Sequence, residues 1–155
     1  MNQLKIHPVN QTNWREIAAL TVAPQQSHFI ESNQQSLLEA AYDHSLMWRP
    51  LALFNGDIAV GFAMVGAYDA GEHSVWLDRF MLDYHFQGTG LGSSFLKLLT
   101  TFLFSEFPVS KILLSLHEEN SNAAALYRQH GFQDSGRYDP ENGERIYVLL
   151  RTDRY

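Results

Sequence analysis

The chain has 155 residues, 45% of them hydrophobic and 18% charged, which suits one folded domain with a buried core spanning residues 1–155. Seventeen acidic against eleven basic residues give a net charge of −6, so the basic face that nucleic-acid binding needs is missing, and no apolar run approaches the about 18 residues of a membrane span. Cysteine is absent, which excludes disulfides, thiolate metal sites and a cysteine nucleophile; with no signal-peptide core at Met1-Asn2-Gln3-Leu4-Lys5, the expected location is the cytoplasm.

Residues 4–9 read as a short strand. Asn13 is placed to cap a helix running through Leu20, with Glu16 three residues on in capping-box position. A polar and aromatic connection, residues 25–33, leads to a second helix over about 36–42. Residues 49–54 and 58–64 are strands, and Asn55-Gly56 between them signals a hairpin. The chain turns at 68–72 into a long strand, 74–83. Over 90–104 the apolar positions Leu91, Phe95, Leu99 and Phe102 recur at helical spacing, and Pro108 stops the helix. Residues 111–116 form a strand whose consecutive Ile112, Leu113 and Leu114 suggest burial on both faces. Residues 121–130 are helical, with Gly131 placed to end them. Strands 132–138 and 145–150 flank a turn at 139–143. The expectation is an α/β domain in which a meander precedes two strand–helix–strand units.

The segment Gln87-Gly88-Thr89-Gly90-Leu91-Gly92 follows a strand and opens a helix. Glycines there let the backbone turn sharply, and the free N–H groups and positive dipole end of a helix start favour a phosphate. A Walker loop would need Gly-Lys before its Ser or Thr, whereas Gly92 is followed directly by Ser93-Ser94. A dinucleotide fingerprint would need G-x-G-x-x-G after the first strand of its domain, and here the spacing is G-x-G-x-G. Two readings remain: Q-x-x-G-x-G, the pyrophosphate loop of CoA-dependent acetyltransferases, and a plain glycine-rich turn that starts a helix. The loop alone does not separate them.

A second segment, Asn120-x-x-Ala123-x-x-Leu126-Tyr127-x-x-x-Gly131-Phe132, lies downstream, after a strand and on a helix. The two motifs in this order and spacing resemble those of the GNAT superfamily of N-acetyltransferases, over nearly the whole chain. Residues 76–83 (Trp-Leu-Asp-Arg-Phe-Met-Leu-Asp) ahead of Phe86-Gln87-Gly88 are similar to bacterial spermine/spermidine acetyltransferases. So are Asn13-Trp14, Gln26-x-x-Phe29-Ile30-x-x-Asn33, Pro50-Leu51-Ala52 and Val60-Gly61-Phe62. Thr89 stands where that subfamily commonly has lysine, which removes a cation and leaves the backbone N–H groups.

The resemblance implies a GNAT-type α/β (α+β) fold: a central mixed, mostly antiparallel sheet of about six to seven strands flanked by about four helices. It implies acetyl-CoA as cosubstrate, direct transfer to an amine in a ternary complex, and, at family level, a homodimer. Gln87, Gly88, Thr89, Gly90, Leu91, Gly92 and Ser93 would wrap the pyrophosphate. Phe80, Met81 and Leu82 would meet the pantetheine arm, with backbone groups of Met81 and Leu82 pairing to it and to the acetyl carbonyl. Such a backbone N–H would stabilise the developing oxyanion. Asn120, Ala123 and Tyr127 would border the reactive end.

Tyr127 matches the family position that protonates the departing thiolate, since a phenol of pKa about 10 stays protonated at neutral pH while a thiol's pKa is about 8.5. A ring packed beneath Gly131-Phe132 is the plain alternative. Asp78 is the first candidate for the base, on the long strand beside the expected acetyl position; an ion pair with neighbouring charges explains it as well. Strict alternation puts Asp78, Phe80 and Leu82 on one face, and a bulge would break that phase. Glu118 and Glu119 read as a solvated pair before a helix. Seven histidines show no HxH or HExxH spacing, so no metal site is expected. The expected acceptor is a polyamine such as spermine or spermidine, bound by Glu31, Glu39 and Asp78, with Asp43 nearby and Phe29, Trp48 and Tyr68 as an aromatic wall. Alternative acceptors are an aminoglycoside, a streptothricin-like antibiotic or an amino acid. The alternative of another class is a non-catalytic CoA-binding sensor.

Overall fold

In a computed structural model, which describes residues 3–152, the chain runs β1 (Leu4–Pro8), α1 (Trp14–Ala19), α2 (Asn33–Tyr42), β2 (Arg49–Asn55), β3 (Ile58–Asp69), β4 (Ser74–Leu82), α3 (Leu91–Glu106), β5 (Lys111–Leu116), α4 (Ser121–Gln129), β6 (Gln133–Tyr138) and β7 (Arg145–Leu150). The strands form one sheet in the order β1-β2-β3-β4-β5-β7-β6, antiparallel throughout except for β4–β5. This is the mixed, mostly antiparallel sheet with four helices that the resemblance implies. Among the described residues no helix is long and apolar enough to cross a membrane.

Central strands with apolar side chains on both faces need cover on both sides. On one face α3 packs Leu91, Phe95, Leu96, Leu99 and Leu103 against Val75, Leu77, Ile112 and Leu114. On the other, Ile17 of α1 and the partly buried Leu37 and Ala40 of α2 meet Ala52, Phe62, Met64 and Met81.

Local chemistry removes one expected capping bond and shifts two of the expected boundaries. Asn13 holds the N-cap position of α1 as expected, but its side chain makes no capping bond, because its Oδ1 accepts from the Asn10 N–H (2.9 Å) and its Nδ2 donates to the Pro8 carbonyl (3.1 Å). The capping box with Glu16 is therefore absent, a case of side-chain–backbone bonds competing with the cap. Helix α2 begins at Asn33 rather than Ser36, since Ser32 caps it by accepting from the Gln35 N–H at 3.1 Å. Strand β3 continues past Met64 to Asp69.

Two irregularities of β4 prepare a site. Met64 lies opposite Arg79 and Val65 opposite Leu77, so Asp78 is the extra residue of a β-bulge. The face toward α3 is carried by Val75 and Leu77 before the bulge, and by Phe80 and Leu82 after it. The step from 77 to 80 is the broken phase. Strands β4 and β5 then pair only at Ser74–Lys111, Val75–Ile112 and Trp76–Leu113. Beyond those pairs they part.

Candidate active site

Where β4 and β5 part, a cavity of about 660 Å³ opens. Residues 77–82 of β4 and 114–116 of β5 line it, together with Asn120, Ala123, Leu126 and Tyr127 from the α4 side. Residues 26–31 ahead of α2 and Asn142 and Glu144 from the β6–β7 turn also line it.

The sheet register decides which backbone groups face this space. The Asp83 N–H donates to the Val60 carbonyl at 2.9 Å, which makes Gly61–Leu82 a pair that is not hydrogen-bonded. By antiparallel alternation, Met81 exchanges its backbone bonds with Phe62, while the N–H and C=O groups of Phe80 and Leu82 point away from β3 toward the cavity. Of Met81 and Leu82, the residues expected to pair their backbone with the pantetheine arm, only Leu82 thus turns its backbone groups to the cavity, and Phe80 does so as well. The Leu82 carbonyl already accepts from Gln87 Nε2 at 3.0 Å.

Gly88 (φ +78) and Gly90 (φ +84) hold left-handed backbone that other residues adopt at a cost. A side chain at either would meet nothing within 4 Å, so open space lies before the loop. Gly90 caps α3, whose first turn carries no acidic residue to compete with an anion for its free N–H groups. Of this segment Gln87, Gly88 and Gly92 line the cavity, whereas Leu91 is buried in the core. The Thr89 hydroxyl donates to the Phe86 carbonyl (3.0 Å). Burial and Lys97 hold His130 below the usual histidine range, and its Nε2 lies within hydrogen-bond distance of Ser93 Oγ (2.7 Å).

Tyr127 both packs as its plain reading expects and lies on the cavity wall. Its ring lies edge-on to Phe132 with centroids 5.6 Å apart, yet it lines the cavity, and no described residue hydrogen-bonds its hydroxyl. Burial pushes the phenol above its ordinary value, which keeps it protonated. Asn120 caps α4 through Oδ1, accepting from the Ala123 N–H at 3.3 Å, which leaves its Nδ2 for a ligand.

Asp78 at the bulge is pushed up to about 6, first by burial and then by the charges of Glu39, Asp139 and Glu144, against the pull of Arg79. Arg79 Nε lies 3.6 Å from it, but the guanidinium's shorter contact is Nη1 to Glu39 Oε2 at 2.7 Å. Glu39 is thus engaged by Arg79 and does not line the cavity; Glu31 does. Glu144 lines it too, and sequence reasoning missed it. Its Oε1 accepts from Ser115 Oγ (2.8 Å) and Asn142 Nδ2 (3.3 Å). Only the order of the last strands could have pointed to Glu144, because antiparallel β5–β7 pairing sets Arg145 opposite Leu116. Phe29 is on the cavity wall, whereas Trp48 packs in the core beneath α1 and α2 and Tyr68 lies against Phe107. Asp43 accepts from Ser45, and Glu118 accepts from the Tyr138 hydroxyl.

Residues 12–132 match the model of the GNAT acetyltransferase family. The chain belongs to that family. As a GNAT enzyme it is an acetyl-CoA-dependent N-acetyltransferase, and the open β4 edge and glycine cradle fit that cosubstrate. Over 150 residues it is 37% identical to a probable spermine N(1)-acetyltransferase of Bacillus subtilis subsp. natto, covering 94% of this chain and 97% of that protein. The same figures hold for a spermine/spermidine N(1)-acetyltransferase of Bacillus subtilis strain 168. In fold it is similar to a Vibrio cholerae spermidine N-acetyltransferase solved with CoA and spermine, at TM-score 0.74 and 20% identity over 96% of this chain and 95% of that one. An aminoglycoside acetyltransferase solved with coenzyme A superposes at TM-score 0.80 and 15% identity over the same shares.

Proposed function

We propose that this GNAT enzyme acetylates a polyamine, spermine or spermidine, at a terminal amine. The observation that carries the reading is a cavity whose wall bears three carboxylates, Glu31, Asp78 and Glu144, beside the open edge of β4 and Tyr127. A flexible polycation matches spaced carboxylates, and its own distal charges disfavour protonation of the amine that must react. The two relatives at 37% identity carry polyamine names. The aminoglycoside enzyme, at 15% identity, speaks for the fold alone.

In this reading acetyl-CoA supplies the acetyl thioester. The loop at 87–92 binds its pyrophosphate by backbone N–H groups at the start of α3. The N–H groups of Phe80 and Leu82 bond the pantetheine arm and the acetyl oxygen, where negative charge develops. Asp78, ionised above pH about 6, takes the proton of the incoming amine directly or through water. Tyr127, protonated at every physiological pH, gives its proton to the departing sulfur. The cytoplasm, which a cysteine-free chain suits, and a homodimer belong to the same proposal; light scattering tests the latter.

The test measures released thiol with spermine, spermidine, an aminoglycoside and free lysine at fixed acetyl-CoA. A polyamine should have the highest kcat/KM and should lose most of it as ionic strength rises, because exposed charge pairs are screened over about 8 Å at physiological salt. Preference for the antibiotic or the amino acid overturns the substrate. Binding of CoA with no thiol released from any amine would favour the sensor.

A further inference from the structure

Each marked residue of Gln26-x-x-Phe29-Ile30-x-x-Asn33 has its own partner. Asn33 is buried, and its Nδ2 donates to the carbonyls of Ile17 (2.9 Å) and Leu20 (3.3 Å). Ile30 packs on the core beneath α1 and α2. Phe29 lies against His117 at the end of β5, with ring centroids 5.4 Å apart. Gln26 reaches toward the glycine loop instead. Its Oε1 accepts from the Ala23 N–H at 3.3 Å and from Gln87 Nε2 at 3.0 Å, and that same Nε2 donates to the Leu82 carbonyl at 3.0 Å.

The chain of bonds is complete and has one orientation. Two lone pairs on Gln26 Oε1 meet two donors, and two N–H groups of Gln87 meet two acceptors. Turning the Gln26 amide over would set its NH2 against the Ala23 N–H and Gln87 Nε2. Turning Gln87 over would set its oxygen against the Leu82 carbonyl. The bridge joins two loops with different tasks. Gln87 opens the glycine loop, while the turn Pro24–Gln26 runs directly into residues 27–31, the cavity wall that carries Glu31.

We infer that Gln26 is a positioning residue that couples the two halves of the site. Cosubstrate seated at residues 88–92 holds Gln87, and Gln87 through Gln26 holds residues 26–31 in the conformation that receives the amine. Gln26 acts through Gln87, not on the amine. The inference uses the polyamine reading for its choice of probe.

The experiment titrates CoA calorimetrically, with and without saturating spermine, into wild type, Gln26→Leu and Gln26→Glu. In wild type spermine tightens CoA binding, and CoA tightens spermine binding by the same factor. Gln26→Leu removes the acceptor at similar size. CoA affinity alone should stay within about twofold of wild type, while the tightening falls about fivefold, the weight of one ordinary hydrogen bond. The amine KM rises by a similar factor and kcat at saturation holds. Gln26→Glu keeps an oxygen acceptor and should restore most of the tightening. Wild-type tightening in Gln26→Leu, or none in a wild type that does bind spermine, overturns the inference, and so does a leucine variant that melts earlier yet keeps its tightening. Failure of the polyamine reading shows separately, as wild type that ignores spermine. The same three proteins are then titrated with the amine the acceptor comparison selects, and the same outcomes decide.

Discussion

Replacing Asp78 with asparagine should make this enzyme more stable and less active at once. Burial raises the carboxyl from 3.8 to about 6, and three neighbouring carboxylates add to the effect against Arg79. A carboxyl whose pKa is higher in the folded than in the unfolded state binds its proton more tightly when folded, so its ionisation works against folding. Below pH 3.8 both states are protonated and no penalty exists; above about 6 both are ionised and the penalty is complete. At about 1.4 kcal/mol per pH unit, the rise amounts to about 3 kcal/mol. The side chain is 24% exposed, and Arg79 loses a 3.6 Å contact while keeping Glu39, so about 1–2 kcal/mol is the net gain expected of asparagine at pH 8. Urea unfolding at pH 8 and pH 4 measures it, and the gain should shrink at the lower pH. In the same protein kcat/KM should fall by about 10²-fold or more, and the acid limb expected of wild type near pH 6 should flatten. An asparagine variant no more stable at pH 8, or one that turns over at wild-type rate with its acid limb intact, would refute the reasoning.

Tyr127→Phe keeps the ring against Phe132 and removes only the hydroxyl, so kcat should drop by ~10²–10⁴-fold with CoA affinity within about twofold of wild type. Near-normal turnover would mean that another group or a water protonates the thiolate. Gly92→Asp tests the phosphate cradle without the left-handed strain that any substitution at Gly88 or Gly90 brings: its Cβ would sit 3.8 Å from Leu126 and Leu82, an ordinary contact. A carboxylate in the first turn of α3 favours the helix by about 0.3–1 kcal/mol but repels the pyrophosphate, so melting should hold or rise while CoA binding weakens about tenfold or more. Unchanged affinity would remove the loop from the binding site.

Most elements were legible because apolar periodicity and turn residues mark them locally. Asn55-Gly56 forms its hairpin with Gly56 at φ +62, and Leu91, Phe95 and Leu99 face the core as their spacing requires. What escaped depends on which of several local bonds a polar side chain takes, or on partners remote in sequence. Ser32 rather than Ser36 starts α2 although both are local hydroxyls, and the Asn13 carboxamide turns back to Pro8 while the Asn10 N–H donates to it. Glu39 reads as a free carboxylate until Arg79, 40 residues away, is found beside it. Glu144 reads as the tail of a turn until β7 slots between β5 and β6 and brings it to Ser115.

The bulge at Asp78 ties these remote facts together. Without the extra residue, a period of two would carry the α3 face from Leu77 to Arg79 and Met81, which would set a guanidinium against the apolar side of α3. With it, Phe80 and Leu82 take that face, and Arg79 and Met81 turn toward α1 and α2, where Glu39 and Asn33 meet them. A bulged strand bends, and β4 leaves β5 one residue before the bulge, at Leu77, which opens the cavity and frees the backbone of Phe80 and Leu82 along its edge. The residue that breaks the pattern is itself left unpaired with β3, half-buried at the cavity wall, with its pKa raised to about 6. One inserted position therefore places the candidate base, exposes the candidate oxyanion donors and makes the space between them, which is why the alternation expected of an ordinary strand fails at this point.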